Sequence, residues 1–170
     1  MTRFEQVVLA FVGSVAAVLP GCRGGGGDPV PERTVVFVCE HGSAKSVIAA
    51  ALFNVRASDR KLPFRAESRG VVPDRTLMPA AVAGLRSDGL APGQTTPIQF
   101  GRADADRAAV IVAVDPLPLE LAAPARVRVW DAVPPVSVAY AASRDAMRSR
   151  IDALLDELDR DVEAAIRKPE

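Results

Sequence analysis

One cysteine in this sequence stands where a thiol can do chemistry. Cys39 closes the apolar, β-branched run Val35-Val36-Phe37-Val38, and the loop Glu40-His41-Gly42-Ser43-Ala44 leads from it to Lys45 and Ser46. Val47 to Asn54, apolar and alanine-rich, then reads as a helix. A strand, a tight loop and a helix N-terminus converge several backbone N–H groups and the positive end of a helix dipole on one point, which makes an anion site. A cysteine on the floor of such a site is stabilised as its thiolate and can act as a nucleophile. Lys45, in a first helical turn, opposes the helix dipole, so a bound anion would relieve a real cost. Ser46 can hydrogen-bond within the loop. The plainer alternatives are a cysteine packed into a core strand, a solvated lysine and a serine capping the helix start.

Composition narrows what surrounds this loop. The 170 residues fit one domain with an N-terminal extra. Twenty-one basic residues balance 21 acidic ones, so there is no basic footprint for nucleic acid. Cys22 and Cys39 are the two cysteines, and their settings are unlike, which argues against a disulfide framework or a thiolate metal site. His41 is the single histidine, which excludes multi-histidine zinc chemistry.

The first 22 residues are not fold material. Arg3 gives a positive start, Val7 to Leu19 is an apolar run of signal-peptide length and too short to span a bilayer, and Leu19-Pro20-Gly21-Cys22 looks like the lipobox of bacterial lipoproteins. Proline before the glycine departs from the commonest pattern, and an ordinary secretory peptide or a helical anchor is the alternative. Residues 23–32, with Gly24 to Gly27 and then Asp28-Pro29-Val30-Pro31, form a tether. The expected organisation is a lipidated Cys22, the tether, and a domain over residues 33–170. Such a protein is exported and lipid-anchored on the extracytoplasmic face of a bacterial membrane, with Cys39 as its free thiol.

The elements that must position Cys39 follow from periodicity and punctuation. Strands are expected at 34–38, at 64–68 ending by Gly70, at 108–114 where Asp115-Pro116 stops the run, and at 127–130. Helices are expected from about Ser43 to Ala57 and from Pro79 to Ser87, with proline in the first turn and Gly89 as the cap. From about Ala141, Met147, Ile151, Leu154, Leu155, Leu158, Val162 and Ile166 recur at helical spacing, giving a long amphipathic closing helix with a solvated charged face. Strands alternating with helices predict a three-layer α/β fold, an open and mostly parallel four-stranded sheet with helices on both faces. Ligands bind such sheets at the carboxyl ends of the strands, and Cys39, Asp115 and Asp131 each follow a predicted strand.

Cys39, five residues, a basic residue and Ser46 on a strand–loop–helix resemble the low-molecular-weight protein tyrosine phosphatases and the arsenate reductases that share their fold. His41, Ser43 and Ala44 are closer to the arsenate-reductase form of the loop. The resemblance runs from about Thr34 to the end and includes Glu67-Ser68 with Gly70 and the stretch from Trp130 to Pro135.

It implies that Cys39 attacks phosphorus in line and forms a phosphocysteine that water hydrolyses. The loop from Glu40 through His41, Gly42, Ser43 and Ala44 to Lys45 would hold the oxyanion, and Ser46 would hydrogen-bond the thiolate. No metal or organic cofactor is required, and the implied partner is a phosphorylated or oxyanion substrate, small molecule or protein. Two departures stand out. The family has arginine where this chain has Lys45, and a lysine is a flexible point charge rather than a planar fork. The family's general acid is an aspartate before a late proline, and Pro134 occupies that place here, before Pro135. Asp131 is the expected substitute, with Asp115 as the alternative, and Arg69 could replace the missing arginine if its loop folded over the site. His41 is expected to be a loop residue without a catalytic role. Thioredoxin-recycled reductases use further cysteines after the strand ending here at Val114, and this chain has none, which leaves only an external thiol. The expectation is a cysteine phosphatase of reduced or altered efficiency. The alternatives are an arsenate-reductase-type thiol enzyme and an inactive oxyanion-binding or interaction module.

Overall fold

The computed structural model describes residues 32–117 and 126–167. The expected leader, Cys22 and nearly all of the tether therefore lie outside the described residues. Within them the order is β1 (Arg33–Cys39), α1 (Lys45–Asp59), β2 (Phe64–Gly70), α2 (Pro79–Ser87), α3 (Arg102–Arg107), β3 (Ala108–Val114), β4 (Val127–Trp130) and α4 (Tyr140–Arg167). The four strands form one sheet in the order β2-β1-β3-β4, and every pairing is parallel. The expected mostly parallel sheet is thus entirely parallel.

β1 lies inside the sheet, flanked by β2 and β3, so both of its faces must be covered. That is why Val35 to Val38 form an unbroken apolar run and are fully buried. Alternation divides them. Val35, Phe37 and Cys39 face a large core with α1, α2 and α4, while Val36 and Val38 join Ile111, Phe100 and Ala105 on the other side. Phe37 anchors the first layer, with its ring centroid 5.7 Å from that of Phe53 and 5.4 Å from that of Trp130. Truncating a buried aromatic of this kind costs about 3–5 kcal/mol. α1 is apolar nearly all round because the sheet, α2 and α4 all touch it. Along α4, Met147, Ile151, Leu154, Leu155 and Leu158 are buried in the expected stripe, whereas Ile166 projects past the core into solvent.

Two features differ from expectation. α1 starts at Lys45 rather than Ser43, because Ser43 and Ala44 are committed to the loop. α3 was not anticipated: Arg-Ala-Asp-Ala-Asp-Arg has no apolar period. It is closed by Asp104, whose carboxylate accepts the N–H of Gly101 at 3.1 Å. This short helix and Phe100 form the thinner of the two outer layers.

Candidate active site

The end of β1 sits beside the end of β2, with Cys39 paired to Gly70. Beyond Cys39 the loop is carried by the segment that follows β2. The carbonyls of Cys39, Glu40, His41 and Ser43 accept the N–H groups of Val71 (3.1 Å), Val72 (2.8 Å), Asp74 (3.0 Å) and Met78 (2.9 Å). Among the described residues there are no cis peptides, so each of these units turns its own N–H the opposite way. The amides of Glu40, His41, Gly42 and Ala44 therefore face away from that segment. One of them shows its target directly: Gly42 N–H donates to Cys39 Sγ at 3.2 Å. Ser46 Oγ lies 3.1 Å from the same sulfur. The thiol is buried between these two groups, both of which can donate to a thiolate.

Gly42 is required by this turn. Its φ is +61°, and a Cβ there would stand 2.7 Å from Gly70 N. The contact is reciprocal, since a Cβ on Gly70 would stand 2.7 Å from Gly42 N. Ser43 Oγ donates to Asp74 Oδ2 at 2.6 Å and ties the loop to its buttress a second time. Asp74 and the packing role of Gly70 were not singled out from sequence. Gly70 carried a signal, a glycine ending a strand beside the loop, whereas Asp74 looked like any turn aspartate.

α1 begins on this loop with Ala44 as its N-cap, which supplies no side-chain acceptor, and with no acidic residue in its first turn. Its first amides are therefore left for an anion. Lys45 opens the helix with its side chain only 17% exposed, and its Nζ donates to Asp115 Oδ2 at 2.6 Å. Cys39, Lys45, Asp115, Pro135 and Ser137 line one cavity of about 210 Å³. Glu40 and His41 stand at its rim, and His41 Nδ1 is 3.4 Å from the Val72 carbonyl oxygen. A second cavity of about 230 Å³, along β2, offers no nucleophile.

The structure thus gathers Cys39, the Glu40–Ala44 loop, Lys45, Ser46 and Asp115. It leaves Asp131 aside: that side chain is 78% exposed, lies 4.0 Å from Arg150 and does not line the cavity. β4 ends one residue earlier, at Trp130, and the chain then carries Pro135 to Ser137 to the cavity instead, with Ser143 Oγ donating to the Pro134 carbonyl at 2.8 Å. Arg69 is no surrogate for the missing arginine. It is buried in an ion cluster, held by Asp104 at 2.9 Å and by Glu67. Arg107 completes that cluster, and its hydrogen bonds lower the pKa of Glu67, with burial opposing and the Arg69 charge assisting.

The model of the low molecular weight phosphotyrosine protein phosphatase family matches residues 34–164. No curated protein matches the chain. Among solved structures it is similar to YfkJ from Bacillus subtilis, with a TM-score of 0.69 and 18% identity over 79% of this chain and 99% of that one. It is similar to a low molecular weight protein tyrosine phosphatase from T. tengcongensis (TM-score 0.61, 17% identity, 74% of this chain and 99% of that one). A thioredoxin-dependent arsenate reductase from Corynebacterium glutamicum gives a TM-score of 0.62 at 18% identity, over 77% of this chain and 64% of that one. At such identities the structures establish the fold, and the family follows from a match that runs from β1 into α4 across the Cys39 loop. The chain belongs to the low molecular weight phosphotyrosine protein phosphatase family.

Proposed function

We propose that this chain hydrolyses phosphomonoesters through a phosphocysteine on Cys39. The observation that carries the proposal is the sulfur's setting, with Gly42 N–H at 3.2 Å and Ser46 Oγ at 3.1 Å at the edge of a cavity that also holds Lys45. Sγ attacks phosphorus, a P–S bond forms as the ester P–O bond breaks, and water then cleaves the P–S bond to release phosphate. Loop amides and the N-terminus of α1 hold the phosphoryl oxygens, and they are in place before the charge develops. Lys45 supplies the cation. Because an ammonium is a point charge, it contacts the phosphoryl oxygens less selectively than a guanidinium fork, and a slow enzyme is expected.

The test is hydrolysis of p-nitrophenyl phosphate by the unmutated chain, Cys39→Ser and Lys45→Arg. The proposal expects activity that vanishes in Cys39→Ser and rises in Lys45→Arg, where one edge of the guanidinium can keep Asp115 and the other can reach the phosphoryl group. Cys39→Ser with undiminished activity would refute it. An unmutated chain silent on esters but consuming arsenate with a small thiol such as glutathione would move the function to the reductase chemistry. Oxyanion binding without turnover of either substrate would make the chain a binding module.

A further inference from the structure

Asp115 is placed with unusual care for a residue that merely ends a strand. Its φ is +86°, a conformation that residues with a Cβ seldom adopt and that tends to mark functional sites. Its N–H is held by the Trp130 carbonyl at 2.9 Å, so the end of β4 holds this backbone just past the Val114–Trp130 pair. The consequence is a carboxylate aimed at Lys45 Nζ, 2.6 Å away, in the cavity that contains Cys39. Among the described residues, the other carboxylates near the loop are paired elsewhere or stand largely in solvent, Glu40 at the cavity's edge included. Asp74 accepts from Ser43, Glu40 has a side chain 70% exposed, and Asp131 faces Arg150.

We propose that Asp115 is the catalytic residue that gives the leaving group its proton, and that Lys45 is the partner that releases it. The inference rests on the phosphatase reading above. Lys45 is paired with Asp115, and Cys39, Glu40 and His41 are the other titratable groups facing the cavity. A phosphoryl dianion entering the loop competes for the same ammonium. Once Lys45 turns to the phosphoryl oxygens, the Asp115 carboxylate has lost its cation and faces like charge at short range, which favours uptake of a proton from solvent. Sγ then attacks phosphorus, the P–O bond breaks, and that proton passes from the Asp115 carboxyl to the departing oxygen, releasing a neutral alcohol or phenol. In the second half the Asp115 carboxylate takes a proton from the attacking water as the P–S bond breaks, which returns the thiolate and leaves inorganic phosphate.

The test is Asp115→Asn in the full chain. Asparagine tolerates the positive φ and can still accept from Lys45, so it removes the proton without removing the tether. Two esters are compared, phenyl phosphate with a poor leaving group and 2,4-dinitrophenyl phosphate with a good one. The expected kcat/KM loss is at least about 10²-fold on phenyl phosphate and under about 10-fold on the dinitrophenyl ester. Equal losses on both would overturn the proposal and make Asp115 a positioning residue for Lys45, and no loss on either would overturn it as well. A second measurement does not depend on turnover. Binding of sulfate, a fixed dianion, followed by calorimetry in buffers of different protonation heat, should take up a proton in the unmutated chain and not in Asp115→Asn. Sulfate binding with the same proton uptake in both would overturn the proposal. Failure of the phosphatase reading looks different: no Cys39-dependent turnover even of the dinitrophenyl ester, in which case the inference falls with it.

Discussion

Gly70→Ala tests whether the catalytic loop is held in place from behind by β2. The substitution is remote in sequence from the thiol and touches no substrate. Its new Cβ would stand 2.7 Å from Gly42 N, 2.8 Å from His41 C and 2.9 Å from Gly42 Cα, all backbone atoms with no rotamer to change. Gly70 cannot retreat, because its N–H donates to Ile98 at 2.9 Å and its carbonyl accepts from Phe100 at 2.8 Å. The loop must therefore move by about 0.7 Å to reach ordinary contact at 3.4 Å. The peptide that moves carries the N–H now donating to Cys39 Sγ. Displacements approaching 1 Å in a catalytic constellation cost up to about 10²-fold, so kcat/KM should fall by about 10- to 10²-fold. Overpacking of this kind costs about 1–3 kcal/mol of stability, which leaves room for a folded protein. The assay is kcat/KM on 2,4-dinitrophenyl phosphate beside a thermal melt. Gly93→Ala serves as the control, since its Cβ would meet nothing within 4 Å. A folded Gly70→Ala protein with activity within about 2-fold of the parent would refute the reasoning.

Two further outcomes are expected. Ser46→Ala removes a buried hydroxyl 3.1 Å from Cys39 Sγ; losing a hydrogen bond to a charged partner costs about 1.5–3 kcal/mol, so regeneration of the thiolate should slow by about 10- to 10²-fold and rapid-mixing kinetics should show a burst of released phenol before a slow steady state. Glu67 gives an acid limb to stability: its folded pKa lies below the ordinary 4.5, chiefly through the Arg107 hydrogen bonds, so its contribution is present above that value and is lost as pH falls through the folded one. The melting temperature should accordingly drop more steeply on acidification in the parent than in Glu67→Gln, and parallel curves would remove Glu67 as the cause.

Much of this was legible because the patterns were strong. The run Val35 to Val38 could only be an interior strand, and Cys39 with its short loop and the alanine-rich helix announced an anion site. The stripe from Met147 to Leu158 fixed the face that α4 buries. The less legible parts depended on partners distant in sequence. α3 has no apolar period because it covers the sheet mainly with Ala105, with Asp104 and Arg107 in an ion cluster. Arg69 was a candidate replacement for the missing arginine, but its partners Glu67 and Asp104 lie two and 35 positions away, and the second is invisible to local reading. The different placements of Asp131 and Asp115 were not legible either: both follow strands, yet Asp115, at positive φ, lines the cavity beside Lys45 while Asp131 is largely exposed near Arg150.

The most direct measurement is capture of the covalent intermediate. The chain would be mixed with a saturating aryl phosphate, quenched within the first turnover and digested under conditions that preserve a thiophosphate bond, and the phosphoryl group located by mass spectrometry. The account predicts one phosphoryl group on the peptide carrying Cys39, absent in Cys39→Ser and accumulating further in Ser46→Ala. Turnover with no label on Cys39, or with label on another residue, would contradict it.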